Sequence, residues 1–203
     1  MDEVDLYKVW VGLDNSLPSK GRVGGPIQGN WSCWINGQHI FGAKGMDCFP
    51  LVCEVVDIVK PATILEIGFN AGHSACMWLT RSPNVKLTSI DISTCESTNA
   101  GAKYVSETFG DRFNFICHDS RTVYEKIKDQ QFDLVIVDGG HSEEDCYSDL
   151  QLAKKLGAKY IVVDDVMRVE AVKNAVNRFI MEGEIIGVKM WAVAWGVGLY
   201  KMK

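Results

Sequence analysis

Two pieces of this sequence carry acids and a histidine at spacings that could do chemistry. One is Val137-Asp138-Gly139-Gly140-His141 and the other is Val163-Asp164-Asp165. Each closes a short run of Val and Ile, so each reads as the end of a strand. Neighbouring strands lie ~4.8 Å apart, so Asp138, Asp164 and Asp165 would converge at one edge of a sheet. Three carboxylates that close repel one another unless a cation sits among them. Hard oxygen ligands with open positions suit Mg²⁺ or Mn²⁺, with water or substrate completing the shell. His141 follows Asp138 by three residues, where it can reach a substrate hydroxyl and take its proton. Taken singly, Asp164 also reads as a turn residue, Asp165 as a helix cap and His141 as a packed imidazole. A cation site explains all four polar residues together.

A third piece is Glu66-Ile67-Gly68-Phe69-Asn70-Ala71-Gly72-His73-Ser74. Its two glycines let the backbone turn tightly and a ligand approach closely, and the following helix offers its first amides. Asp91 closes the next apolar run and can accept two hydrogen bonds from a ribose diol. Asp119-Ser120 follows the run after that, where a carboxylate can accept from an exocyclic amine such as that of adenine. The turn lacks the Gly-x-Gly-x-x-Gly spacing of dinucleotide binders and the Gly-Lys-Ser/Thr of phosphate loops. A nucleoside cofactor with little or no phosphate is favoured over NAD or ATP.

The elements that must position these residues are legible from residue 46 onward. Met46 to Lys60 reads as a helix ended by Pro61. Short β-branched runs follow at 63–67, 86–91, 113–117, 132–138 and 160–164, separated by helix-like stretches at 73–81, 95–108, 120–128, 142–156 and 168–182. Alternating strands and helices give a doubly wound α/β domain, and near-continuous Val/Ile runs fit strands buried on both faces. Glu184–Met190 and Ala192–Lys201 have no helix between them and read as an antiparallel hairpin closing the sheet. Residues 1–45 differ. They hold Pro18, Pro26, seven glycines before residue 43, and Trp10, Trp31 and Trp34. The composition predicts turns and loops, an arm or lid ahead of a domain at 46–203. Its tryptophans either staple the arm to the domain or line a substrate pocket.

Composition bounds the rest. The chain has 203 residues, 47% hydrophobic and 23% charged, with a formal net charge of −5. That is one globular domain's worth of sequence with enough apolar surface to fold. A net negative chain without a Lys/Arg run is a poor partner for nucleic acid. No stretch approaches the ~20 apolar residues of a membrane helix, and the acidic start does not read as a signal peptide. Seven cysteines at irregular spacing, without a Cys-x-x-Cys pair, predict free thiols in a reducing cytoplasm.

Glu66-Ile67-Gly68-x-x-x-Gly72 with Asp91 about 25 residues beyond Glu66, over roughly residues 45–200, resembles the signature of class I S-adenosylmethionine-dependent methyltransferases. The terminal antiparallel hairpin is typical of that family. The resemblance implies a mostly parallel seven-stranded sheet. It also implies that Glu66, Gly68, Asn70 and Gly72 hold the methionine part of the cofactor, with Phe69 and Ser74 in the same turn. Asp91 would hold the ribose, with Ile92 beside it, and Asp119 and Ser120 would lie by the adenine. Asp138 would border both cofactor and cation. Asp-x-x-His with a paired acid after the fifth strand is similar to metal-dependent small-molecule O-methyltransferases, closest to those acting on antibiotic sugars. Catechol-type enzymes share the layout but carry Lys where this chain has His141 and Asp-Asn where it has Asp164-Asp165. Phe41-Gly42-Ala43-Lys44-Gly45 also resembles the catechol-type segment over the cofactor.

The implied reaction is transfer of the methyl group of S-adenosylmethionine to a hydroxyl of a sugar-like or phenolic small molecule, with Mg²⁺ or Mn²⁺ bound by Asp138, Asp164 and Asp165 and His141 as base. A metal-independent methyltransferase and a non-catalytic S-adenosylmethionine-binding domain are the alternatives. A homo-oligomer is left open, since arms of this kind often contact a second subunit. Ser142-Glu143-Glu144-Asp145 reads as a helix cap, Asp133 as structural, and His73 as a cap, a packed residue or a ligand contact. Trp31, Trp34, Trp191 and Trp195 are candidates for shaping the substrate pocket.

Overall fold

The computed structural model describes residues 3–18, 33–35, 38–40, 43–92, 95–192 and 196–203. The chain begins with α1 (Glu3–Ser16), a short antiparallel pair β1 (Cys33–Ile35) and β2 (Gln38–Ile40), and α2 (Ala43–Val59). Then come β3 (Thr63–Ile67), α3 (His73–Arg81), β4 (Lys86–Asp91), α4 (Glu96–Phe109) and β5 (Phe113–Cys117). The second half runs α5 (Tyr124–Ile127), β6 (Leu134–Val137), α6 (Glu143–Lys155), β7 (Tyr160–Val163), α7 (Glu170–Met181), β8 (Ile185–Trp191) and β9 (Val197–Met202).

Seven strands form one sheet in the order β5-β4-β3-β6-β7-β9-β8. The first five are mutually parallel, and β9 runs antiparallel to both β7 and β8. The chain winds outward from β3 through β4 to β5, then returns to place β6 on the other side of β3. That reversal opens a crevice at the carboxyl ends of β3 and β6, where ligands bind in open α/β sheets.

Strand alternation divides the core. Ile64, Leu134 and Ile136 face a cluster built with α1 to α4, while Leu65, Val135 and Val137 face one built with α5 to α7. Both faces of β6 and β7 are covered, which explains why Leu134–Val137 and Tyr160–Val163 are near-continuous apolar runs rather than alternating with polar residues.

The N-terminal stretch differs from the loops expected of it. Residues 3–16 are helical, and Leu6, Trp10, Leu13 and Leu17 are all buried. Their spacing is one stripe of a helix, and it packs α1 into the α1–α4 cluster. Helix α2 starts three residues before the expected Met46 and carries Pro50 within it. The stretch expected to be helical over 120–128 contains only the four-residue α5. Asp133 is structural, as expected: Oδ2 accepts from the amides of Ala62 at 2.8 Å and Thr63 at 3.2 Å, and Oδ1 from Lys159 Nζ at 2.7 Å. Trp31, Trp195, Phe41 and Gly42 lie outside the described residues, as does the side chain of Trp34. Trp191 is tied to α2, its Nε1 donating to Glu54 Oε2 at 2.6 Å. Cys76, Cys117 and Cys146 are free thiols. Among the described residues, no helix is long and apolar enough to cross a membrane.

Candidate active site

The β3–α3 turn meets the end of β6 at the crevice. Gly68 has φ +95°, and a Cβ on it would run into the carbonyl oxygen of Asp138. Only glycine permits both that backbone conformation and that approach. Gly72, at φ 93°, precedes α3, and no side chain caps that helix. Its first amides are therefore aimed into the crevice without a side-chain acceptor.

Glu66 and Asp91 shape this turn from within. Glu66 is fully buried. It accepts from Ser89 Oγ at 2.5 Å and from the Ser74 hydroxyl. Burial pushes its carboxyl up to about 7, against the pull of the two serines. Asp91 was expected to offer its carboxylate to a ribose. Its Oδ2 accepts from the backbone amides of Phe69 at 2.9 Å and Asn70 at 2.8 Å. Asn70 sits in the left-handed region, φ 52°, a conformation asparagine tolerates. Phe69 is buried and stacks with Phe113 and Phe115, so its side chain supports the turn from below. Ile92, by contrast, is 60% exposed at the mouth of the crevice.

At the end of β5, Asp119 and Ser120 are both engaged by protein groups. Arg121 donates to Asp119 through its backbone amide at 2.9 Å and through Nε and Nη2, the latter at 2.6 Å. These bonds hold the Asp119 carboxyl down at about 2. Ser120 donates to Asp149 Oδ1 at 2.7 Å. Toward a ligand, Ser120 thus keeps its acceptor lone pairs. Asp149 is buried on α6, its Oδ2 would lie 3.0 Å from a Cβ on Gly139, and burial pushes its carboxyl up to about 6. It links the loop after β5 to the loop after β6. Sequence reading missed it, although an acid at 149 among Cys146, Leu150 and Ala153 on the inward face of α6 was the available signal.

The second constellation forms at the ends of β6 and β7, which pair in parallel register with Val137 opposite Val163. Asp138, His141 and Asp165 bring one donor atom each to within 4.8 Å of one another. His141 Nε2 is 3.0 Å from Asp165 Oδ2, with the imidazole 56% and the carboxylate 13% exposed. Asp165 reaches this position from a left-handed backbone, φ 63°. Asp164 turns its Oδ1 back to accept from Asp165 N at 2.8 Å. The convergent set therefore contains His141 alongside two of the three expected acids.

The electrostatics are those of an uncompensated acidic site. Asp138 is pushed well above the usual carboxylate range, first by burial and then by Asp164, Asp165 and Glu66. Burial and then Asp165 push Asp164 up to about 6. The Asp165 hydrogen bond raises His141 above the ordinary histidine value. A divalent cation relieves this kind of mutual repulsion, and the carboxylates of Asp138 and Asp165 are hard oxygen donors that Mg²⁺ or Mn²⁺ accepts when water completes the shell, leaving the imidazole of His141 beside it for a proton. Ser142 caps α6 as expected, accepting from Asp145 N at 3.0 Å.

Fold and site together define the open α/β architecture with a terminal antiparallel pair that class I methyltransferases use. A family model described as a methyltransferase domain matches residues 65–166. That is half of the chain and spans both constellations, and the protein belongs to this family. No curated protein sequence matches the chain. Solved structures share the whole fold at low identity. The Podospora anserina methyltransferase PaMTH1, bound to SAH, has a TM-score of 0.70 at 16% identity, covering 100% of this chain and 89% of that one. An O-methyltransferase from Bacillus cereus in complex with SAH has a TM-score of 0.65 at 17% identity, covering 100% and 92%.

Proposed function

We propose that this protein transfers the methyl group of S-adenosylmethionine to a hydroxyl of a small molecule, sugar-like or phenolic, with the help of a divalent cation. The observation that carries the reading is the convergence of Asp138, His141 and Asp165 against a turn whose Gly68 has no room for a side chain. A domain that merely bound the cofactor would have no use for that convergence.

S-adenosylmethionine, when bound, supplies an electrophilic sulfonium methyl group. The uncapped amides of α3 suit its carboxylate, and the buried Glu66 and the Asp91-braced loop fix the shape of the turn that receives it. A cation held by Asp138 and Asp165, with Asp164 adding charge behind them, would lower the pKa of a substrate hydroxyl. His141 is exposed enough to meet that hydroxyl, and its hydrogen bond to Asp165 orients the ring and increases its basicity. His141 would take the proton of the hydroxyl that receives the methyl group. The remaining work is positioning two reactants in line.

The test is transfer of a labelled methyl group to a panel of catechols, simple phenols and sugar diols, with and without EDTA. Activity on such substrates that EDTA removes and Mg²⁺ or Mn²⁺ restores is the expected outcome. Full activity in EDTA would overturn the cation. Cofactor binding without turnover of any hydroxyl substrate would favour a binding domain.

A further inference from the structure

Helix α1 meets the cofactor turn through a buried polar pair. His73, the first residue of α3 and the one after Gly72, turns its Nε2 to Asp14 Oδ1 at 3.0 Å. Both side chains are buried, at 2% and 7% exposure. Trp10, one turn earlier on α1, donates its Nε1 to the carbonyl oxygen of His73 at 3.3 Å and sets its ring edge-on to the imidazole, centroids 5.1 Å apart. Tyr104 on α4 adds a third point, donating its hydroxyl to Val9 O at 2.9 Å.

This arrangement is expensive for a simple staple. Leu6, Leu13 and Leu17 already supply an apolar seam for α1. Taking an imidazole and a carboxylate out of water costs free energy that a well-packed apolar pair would not. The Nδ1 atom of His73 is buried without a hydrogen-bond partner, a further cost. What the pair adds over an apolar seam is direction. It fixes the rotation of the first residue of α3, whose neighbours are Gly72 on one side and Ser74, bonded to Glu66, on the other. The opposite end of the same turn is fixed by Asp91 on the amides of Phe69 and Asn70. The turn is thus clamped from two directions, by Asp91 in the sheet and by α1 from outside the parallel domain.

We infer that Asp14 and Trp10 are positioning residues for the cofactor: through His73 they hold the 68–74 turn in its binding shape, so that the N-terminal helix sets cofactor affinity without touching the ligand. The inference rests on the reading that this turn binds S-adenosylmethionine.

The test is calorimetric titration of the full chain with S-adenosylmethionine, alongside thermal unfolding without it. Asp14→Leu removes the charge and keeps an apolar seam, and Trp10→Phe removes one donor and keeps the aromatic packing. Each should weaken binding about tenfold with the unfolding temperature held or raised in Asp14→Leu. Asp14→Asn keeps an acceptor for the imidazole and should bind as wild type does. In methyl transfer, the two weakened variants should show a raised KM for the cofactor and an unchanged kcat. Wild-type affinity in both Asp14→Leu and Trp10→Phe would overturn the inference and leave α1 a staple. Should Asp14→Leu fail to fold, Trp10→Phe decides alone. A wild-type protein that takes up no S-adenosylmethionine would overturn the cofactor reading, and this inference with it.

Discussion

His141 Nε2 and Asp165 Oδ2 lie 3.0 Å apart, one at the end of β6 and the other at the end of β7. The contact joins two adjacent strand ends and gives the imidazole both an orientation and a counter-charge. It also fixes which way a proton-accepting histidine must respond to pH.

The Asp165 hydrogen bond stabilises the protonated imidazole. If neutral His141 is the base, turnover rises with pH through one inflection and is lost below it, and a cation on Asp165 pulls that inflection down from its metal-free position. His141→Ala should lower kcat by ~10²–10⁴-fold, the range for a general base, with cofactor affinity near wild type. Rate–pH profiles of the two proteins measure this. A variant that turns over normally would remove His141 from the chemistry.

Gly68 is the tightest point of the crevice. A methyl group there meets the Asp138 carbonyl oxygen, and φ +95° is strained for any side chain. The strain alone is about 1–3 kcal/mol. Gly68→Ala should push the β3–α3 turn away from β6 and weaken cofactor binding more than about tenfold, as read by titration calorimetry. Unchanged affinity would mean that the turn is not the cofactor's seat.

Asp133 offers a contrast at the other end of the same strand. It braces the start of β3 through two amides and holds Lys159. Asp133→Ala strands those amides and should cost about 1–3 kcal/mol, or roughly 2–4 °C in melting temperature for each kcal/mol in a chain of this size. Because Asp133 lies at the amino end of β6, kcat on a working substrate should not move.

Much of this was legible in the sequence, for a physical reason. Strands covered by helices collect β-branched and aromatic residues, so the runs at 63–67, 86–91 and 113–117 mark β3, β4 and β5 to the residue, polar members such as Glu66 and Ser89 included. The carboxyl ends of such strands carry the chemistry, so Asp91, Asp138 and Asp165 stand out. Helix α1 was hidden because a glycine-rich, proline-containing stretch after residue 17 dominates the composition of residues 1–45, although the Leu6-Trp10-Leu13-Leu17 stripe is intact. The Asp14–His73 pair spans 59 residues and leaves no local trace. Nor could sequence show how Asp164 and Asp165 divide: the left-handed turn at Asp165 brings its carboxylate to His141, while Asp164 Oδ1 accepts from the Asp165 amide. At Asp91 and Ser120 the protein partners, loop amides and Asp149, likewise leave no local trace in the sequence.

Glu66 carries a stability signature that separates the fold from the reaction. It is wholly buried at the centre of the sheet, and burial raises its carboxyl from 4.5 to about 7. The native state therefore holds a proton on Glu66 over a pH range in which the unfolded chain has released it. That contribution to stability is complete below about pH 4.5 and is lost as pH rises through about 7, a span worth about 3 kcal/mol at 1.36 kcal/mol per pH unit. Asp138, Asp149 and Asp164 are raised as well, so the whole cofactor-free protein should weaken toward alkaline pH. Glu66→Gln isolates one share of that slope, because the amide cannot ionise, while its oxygen can accept from one of Ser74 and Ser89 and its nitrogen donate to the other hydroxyl. Urea midpoints of wild type and variant at pH 5 and pH 8 give the difference directly. The variant should lose less stability between the two pH values than wild type does. Equal slopes would mean that Glu66 is ionised in the native protein throughout, with its two serines supplying enough hydrogen bonding to offset its burial.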